Sequence, residues 1–271
     1  MKKTICAVIA VKNEQKNIAR CLNSLSNVVD HILVVDSASQ DDTVVIAEGY
    51  GAEVIQFKKN NGYPKKRQFA LNSLCDNFDY AMLIDADEVI SDMLANEIRE
   101  ILNGKSDASV FFARKSFHFL GKRLKYGGFD FFAAFVVKPS LVKFEDLGEV
   151  VQNGLDMEVH EHPIISGKID KIEARIDHID RAYISKMYSR HLEYAKWEVE
   201  RSSVIKRKEN SSYTIRQKIK YRNFDKFYFS YMYFLVDYVL LGRFIDGYSG
   251  LKYSLLKFWY FNEIKRILDD K

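Results

Sequence analysis

Apolar positions in the first hundred residues fall into short unbroken runs, separated by stretches in which they recur every three or four residues. Thr4 to Val11 is one such run, long enough for a strand buried on both faces. His31 to Asp36 (HILVVD) and Tyr80 to Ile84 read the same way, and Ala52 to Phe57 forms a further strand. Between them, Gln15 to Ser26 places Ile18, Leu22 and Leu25 at helical spacing. A second helix is capped by Asp41 or Asp42 and runs to about Tyr50, where Gly51 stops it. Pro64 to Leu74 is a third helix, and Ser91 is positioned to cap a fourth that ends at Leu102. Unbroken strands alternating with helices predict an α/β fold with a mostly parallel sheet covered on both faces. Such sheets bind ligands at the carboxyl ends of their strands. Three polar strand ends fall there: Asn13-Glu14, Asp36-Ser37 and Asp85-Ala86-Asp87.

The pattern then changes twice. From Ser109 to His178, short β-like runs alternate with loops, among them Gly127-Gly128, Phe129 to Val137 and Val159-His160-Glu161-His162. From about Arg181 onward the chain reads as helical, and residues 221–262 hold 16 of its 37 aromatics. The predicted organisation is a domain over residues 1–180, divided at 104 into halves 1–104 and 105–180, followed by a helical, aromatic-rich extension over 181–271. The net charge of +4 conceals an asymmetry. From Arg181 to the end there are 19 Lys and Arg against 10 Asp and Glu, so the extension is basic and the rest mildly acidic. A basic, aromatic-rich end points to an anionic surface, membrane or nucleic acid. Cys6, Cys21 and Cys75 are scattered, with no C-x-x-C pair, which points to a reducing compartment. In MKKTICAVIAV the apolar run is short and meets Lys12 at once, so it is read as a strand rather than a leader, and the chain as cytoplasmic.

Candidate chemistry concentrates at the strand ends. In a strand, residues i and i+2 point to the same side, so Asp85 and Asp87 can face one site. Two hard oxygen ligands suit Mg²⁺ or Mn²⁺, which commonly take one or two carboxylates together with substrate phosphates; the alternative is a solvated strand end. Asp36 can accept hydrogen bonds from a base or ribose hydroxyl, or cap the following turn, and Glu14 presents the same choice. Lys65, Lys66 and Arg67 stand at the start of a predicted helix, where the dipole disfavours cations. They fit either a phosphate or a solvated face. His160-Glu161-His162 lacks zinc-helix spacing. Glu161 can act as a general base and His160 or His162 as a metal ligand, or the three can form a surface β-edge. The turn after the first strand contains no glycine, which excludes a Rossmann dinucleotide site, and no Walker loop is present.

Four motifs in order, AVIAVKNEQKNIARCLNSL, HILVVDSASQDDT, GYPKKRQFAL and YAMLIDADE, resemble the inverting family 2 glycosyltransferases of GT-A fold. Within them the chain is most similar to bacterial lipopolysaccharide and lipooligosaccharide core β-glucosyltransferases. The resemblance is strong over residues 4–104 and looser through Gly127-Gly128 and Val159-His160-Glu161 to FLVDYVLLGRFIDGYSGLKYSLLKF. It implies that residues 1–104 are the nucleotide-sugar half and 105–180 the acceptor half. It also implies that Asn13, Glu14 and Asp36 line the base and ribose pocket, that Lys66 and Arg67 lie near the diphosphate, and that Asp85 and Asp87 form the D-x-D, with Asp87 nearer the metal. Glu161 would be the base. The implied activity is transfer of a hexose, glucose first, from a UDP-sugar to a lipid-linked saccharide such as the lipopolysaccharide inner core. The ion would be Mn²⁺ or Mg²⁺, and the product's anomeric configuration would be inverted. Relatives often carry an Arg after the Gly-Gly turn where this chain has Phe132-Ala133-Ala134-Phe135, which implies different acceptor contacts.

The extension has two readings. Phe227 to Leu241 is too short to span a bilayer and is interrupted by Asp237, with Arg243 and Asp246 following. Arg216, Lys218, Lys220, Arg222 and Lys226 precede it, a composition suited to lying on anionic lipid at the inner face of the cytoplasmic membrane. The other reading packs these helices on the catalytic domain or on a dimer partner. A nucleotidyltransferase and a non-catalytic binding protein with a basic tail are the rival functions, and nucleic acid is not expected as a partner.

Overall fold

The computed structural model describes residues 3–58, 66–74, 77–127, 132–144, 163–179, 184–207 and 220–270. These divide into two compact units, one holding the chain up to 118 with 132–144 and 163–179, the other holding 119–127 and 184–270. His160, Glu161 and His162, together with Lys65, Cys75 and Gly128, lie outside the described residues.

The described strands are β1 (Ile5–Val11), β2 (His31–Asp36), β3 (Glu53–Gln56), β4 (Tyr80–Asp85), β5 (Glu88–Val89), β6 (Val110–Phe119), β7 (Lys122–Arg123), β8 (Phe132–Val137), β9 (Val142–Phe144), β10 (Pro163–Ile165) and β11 (Ile169–His178). The main sheet runs in the order β3-β2-β1-β4-β8-β6-β11-β5. β3, β2, β1 and β4 are parallel neighbours. β8 enters antiparallel between β4 and β6, while β11 lies parallel to β6 and antiparallel to β5. β9 and β10 form a separate antiparallel pair. The mostly parallel sheet expected from the apolar runs is present, and the irregular middle of the chain extends it.

Helices α1 (Ile18–Leu25), α2 (Thr43–Gly49), α3 (Lys66–Leu74) and α4 (Asp92–Leu102) connect the strands. Period-two alternation in β1 explains why its run had to be unbroken. Ile5, Ala7, Ile9 and Val11 enter one core with Ile18, Leu22 and Leu25 of α1 and Leu94 and Ile98 of α4. Cys6 and Val8 enter the other core with Ala70, Leu71 and Leu74 of α3. Each large aliphatic side chain buried this way contributes about 1.5–3 kcal/mol, so both faces favour the same register. The Ser91 hydroxyl caps α4, accepting from the Leu94 N–H at 3.3 Å. At α2 the capping position is Asp42, but the bonding carboxylate is that of Asp41, which accepts from the Thr43 N–H at 3.1 Å.

The second unit contains α5 (Ile184–Arg207), α6 (Phe229–Phe234), π-helical turns over Leu235–Leu240, a 3₁₀ turn over Arg243–Asp246, and α7 (Gly247–Asp269). Ala195 and Val199 of α5 pack with Phe224, Phe229 and the α7 residues Tyr260, Phe261 and Ile264. No described helix is long and apolar enough to cross a membrane. His191 sits among these rings, 5.9 Å from Tyr194 and 5.7 Å from Tyr260, with Nδ1 at 2.8 Å from the Met187 carbonyl. Burial, reinforced by the charge of Lys257, brings its pKa down to about 4. The unfolded chain therefore takes up a proton near pH 6.5 that the folded chain refuses until about pH 4. Stability is expected to fall as pH drops through that window, and His191→Gln is expected to flatten the slope in urea titrations at pH 7, 5.5 and 4.5.

Candidate active site

The carboxyl edge of the parallel strands assembles the site. Val11 pairs with Asp36 and Ala10 with Asp85, so the two acids end the strands flanking β1. Two strand spacings set their backbones roughly 10 Å apart. Asp36 is buried, and its carboxylate accepts from the Ser39 N–H at 3.0 Å and the Ser39 hydroxyl at 2.5 Å. That hydroxyl in turn accepts from the Asn13 N–H at 2.8 Å, and Asn13 Oδ1 accepts from the Gln40 N–H at 2.8 Å. Asn13 holds the left-handed backbone conformation (φ +57°) that Asn tolerates. Glu14 accepts from Asn17 Nδ2 at 2.8 Å, and its own N–H donates to the Thr43 hydroxyl at 2.7 Å. Through Ser39 the Asp36 carboxylate braces the turn that follows it, and the same bonds lock the first two strand ends into one rim.

The third strand end is a charge cluster. β4 stops at Asp85, and Ala86 and Asp87 form a turn, so the D-x-D is not the strand pair expected from i and i+2. The turn continues into β5, which aligns Glu88 opposite His178 at the end of β11. β11 also pairs with β6, stacking His178 on Phe117 with centroids 5.7 Å apart. His178 Nδ1 lies 3.2 Å from Asp87 Oδ1 and 3.6 Å from Glu88 Oε1. Lys115 Nζ on β6 donates to Asp85 Oδ2 at 2.9 Å and lies 2.5 Å from Glu88 Oε1. Arg67 Nη2 donates to Asp85 Oδ1 at 2.5 Å, and the Asp85 N–H donates to Glu88 Oε2 at 2.9 Å. The anion that the cations at the start of α3 require is, for Arg67, Asp85. Lys66 is buried.

Burial by itself would raise the Asp85 carboxyl, but Lys115 and Arg67 beside it hold it well below the usual carboxylate range. Burial likewise opposes the charge on Lys115, and Asp85 and Glu88 outweigh it, keeping the ammonium protonated above its ordinary pKa. His178 follows the same logic: burial works against the imidazolium, while Glu88 and Asp87 raise its pKa to about 9. Ligand atoms of Asp85, Glu88 and His178 all lie within 4.8 Å of one another. The hard carboxylate oxygens of this group fit Mn²⁺ or Mg²⁺.

Residues 6–144 match the profile described as Glycosyl transferase family 2. The chain belongs to that family. An uncharacterized glycosyltransferase of Rickettsia felis is 52% identical over 97 residues, 36% of this chain and 33% of that protein. A second, from Rickettsia conorii, is 46% identical over 101 residues, 37% of this chain and 35% of that protein. The matched segment thus spans about a third of the length of these curated relatives. Among solved structures, glucosyl-3-phosphoglycerate synthase from Mycobacterium tuberculosis, in complex with Mn²⁺, UDP and glucosyl-3-phosphoglycerate, gives a TM-score of 0.43 at 18% identity. That alignment covers 76% of this chain and 80% of the synthase.

Asn13, Glu14, Asp36, Lys66, Arg67, Asp85 and Asp87 all fall inside the segment matching family 2. The structure gathers Arg67, Asp85 and Asp87 into one cluster and holds Asn13, Glu14 and Asp36 in the adjoining rim. Sequence reasoning missed Lys115, Glu88 and His178. For His178 a signal existed: Ile172, Ala174 and Ile176 alternate as buried positions of β11, and His178 is the next on that face. Lys115→Met removes the cation from a fully buried Glu88 and from Asp85, and is expected to cost about 3–5 kcal/mol of stability. Urea unfolding measures this, and a loss below about 1 kcal/mol would contradict the pairing.

Proposed function

We propose that this chain is an inverting glycosyltransferase that moves a hexose, glucose first, from a UDP-sugar to a lipid-linked saccharide such as the lipopolysaccharide inner core. The observation carrying this reading is the convergence of Asp85, Asp87, Glu88 and His178 at the carboxyl edge of a parallel sheet, with two cations among them. Asp36, two strand spacings away on the same edge, suits a ribose or base contact at the other end of a nucleotide diphosphate. Asn13 and Glu14 form the wall between, through the bonds that fix the first loop to the second.

In the proposed reaction Glu161 takes the proton of an acceptor hydroxyl, and that oxygen attacks the anomeric carbon from the face opposite the diphosphate. The bond from the anomeric carbon to the diphosphate oxygen breaks, and UDP leaves carrying the electron pair. Asp87, Asp85 and His178 would hold Mn²⁺ or Mg²⁺, with His160 as a further ligand, and His178 would release its proton to solvent on taking up the ion; when bound, the ion supplies positive charge to the departing diphosphate. Lys66 and Arg67, at the start of α3, would lie along that diphosphate and steady its charge. Work on a lipid-linked acceptor places the enzyme at the cytoplasmic face of a membrane, with residues 1–180 catalytic and 181–271 associating with the bilayer.

The test is turnover of UDP-glucose, UDP-galactose, UDP-N-acetylglucosamine and GDP-mannose with Mn²⁺ or Mg²⁺, reading UDP or GDP release and the anomeric proton of the product by NMR. UDP-glucose is expected to turn over with inversion, and Asp87→Asn to lower kcat/KM by about 10²–10³-fold. Retention of configuration, or an Asp87→Asn enzyme as fast as the parent, would overturn the scheme.

A further inference from the structure

In the second unit, the apolar stretch that looks charge-interrupted in sequence presents an uncharged face. Tyr231, Leu235 and Val239 recur at four-residue spacing, with Met232, Val236 and Leu240 as a second row beside them, and all six are exposed. Residues four apart share one side of a helix. The π-helical turns, closed by the Leu241 N–H to the Val236 carbonyl at 2.8 Å, carry both rows past the end of α6. Phe229 and Tyr233 of α6 instead pack their rings on Phe261 of α7, with centroids 5.1 and 4.4 Å away.

The charges of this stretch are turned inward. Asp237 is 3% exposed and Arg243 1%, against 72% for Leu240 and 68% for Tyr248. Arg243 donates to both Asp237 oxygens, at 2.6 and 2.7 Å, and to the Gly127 carbonyl at 2.8 Å. The Ser254 hydroxyl donates to Asp237 at 2.6 Å. Two glycines make room for this: a Cβ on Gly127 would stand 2.0 Å from the Arg243 guanidinium, and one on Gly250 2.3 Å from the Arg243 carbonyl oxygen. Asp246 is buried as well, accepting from the N–H groups of Lys125 and Tyr126. From Phe227 to Tyr248, therefore, no exposed side chain is charged. Exposed cations bound the stretch instead: Arg222 and Lys226 before it, Lys252 after it, and Lys122 and Lys125 on the segment tied to Asp246.

We propose that this face lies in the plane of an anionic bilayer, its apolar rows in the headgroup and upper acyl region and the bounding cations on lipid phosphates. Apolar centre and basic border match such a surface together. A second copy fits less well, because a two-fold contact sets the patch against itself and brings the cations of one border near those of the other. The inference deepens the reading of a lipid-linked acceptor and rests on it for its purpose, while the face itself is argued from exposure and charge.

Co-sedimentation of the full chain with phosphatidylcholine vesicles, with and without about 30% phosphatidylglycerol, tests it. The protein is expected to bind the anionic vesicles at least about tenfold more tightly than the neutral ones. Leu240→Asp with Phe244→Asp, the latter an exposed ring of the 3₁₀ turn that follows the two rows, is expected to weaken that binding by at least about tenfold, with an unchanged melting temperature. Arg222→Glu with Lys226→Glu is expected to remove the preference for anionic lipid. Parent protein that stays in solution with both vesicles, or a Leu240→Asp/Phe244→Asp protein that binds as the parent does, overturns the proposal. So does a vesicle-free dimer that this double variant converts to monomer, since a second copy would then own the face. The melting shift with Mn²⁺ and UDP is recorded alongside: its absence in a protein that still binds vesicles sinks the catalytic reading and leaves the membrane face standing.

Discussion

Glu88 carries a carboxylate with no exposure to solvent, a state that costs several kcal/mol unless opposite charge and hydrogen bonds surround it. Lys115 at 2.5 Å and the Asp85 N–H at 2.9 Å meet that demand, and they dictate much of what stands nearby. Lys115 reaches Glu88 because β6 lies inside the sheet, and it reaches Asp85 because β8 alone separates β6 from β4. With Asp85 shared between Lys115 and Arg67, the start of α3 is tied to the end of β4. His178 completes the group from β11, charged at neutral pH by the acids it faces. Three acids and three cations thus balance around one point at the sheet's carboxyl edge. Substituting any one of them leaves a partner uncompensated, so stability and site geometry are coupled here.

The strand ends were legible because a strand buried on both faces tolerates no polar residue until it emerges. Asp36 and Asp85 are the last residues of such runs, and Asn13 follows the end of β1 by two positions. The Ser91 cap and the Gly51 stop were legible for local reasons of the same kind. The charge-pairing roles of Lys115 and His178 were not, since they depend on β6, β8 and β11 pairing across long sequence separations in a region of short, irregular runs. Asp87 was assigned a strand geometry that the turn after Asp85 replaces, yet the turn still delivers its carboxylate to His178.

The second unit teaches a related lesson about charge. Asp237 and Arg243 count as interruptions when the hydropathy of the stretch is read along the chain. In the fold they are six residues apart on either side of the left-handed Gly242, close enough to form a bidentate pair. Pairing two charges internally lets the surrounding surface stay apolar, which residue-by-residue hydropathy cannot register. Gly127 reads in sequence only as half of a Gly-Gly turn and Gly250 carries no signature, and their need for small size follows from the guanidinium and carbonyl they abut.

The proposed reaction requires Asp85, Asp87 and His178 to hold a divalent metal ion against a nucleotide diphosphate. Pulsed EPR of Mn²⁺ bound to the protein with UDP addresses it most directly, because nitrogen coordination is seen without any turnover. The expected result is ¹⁴N modulation that weakens in His178→Gln, together with weaker Mn²⁺ binding, and is lost when His160→Gln is added. Mn²⁺ held equally well by the parent and by His178→Gln, with no nitrogen signal in either, would contradict it.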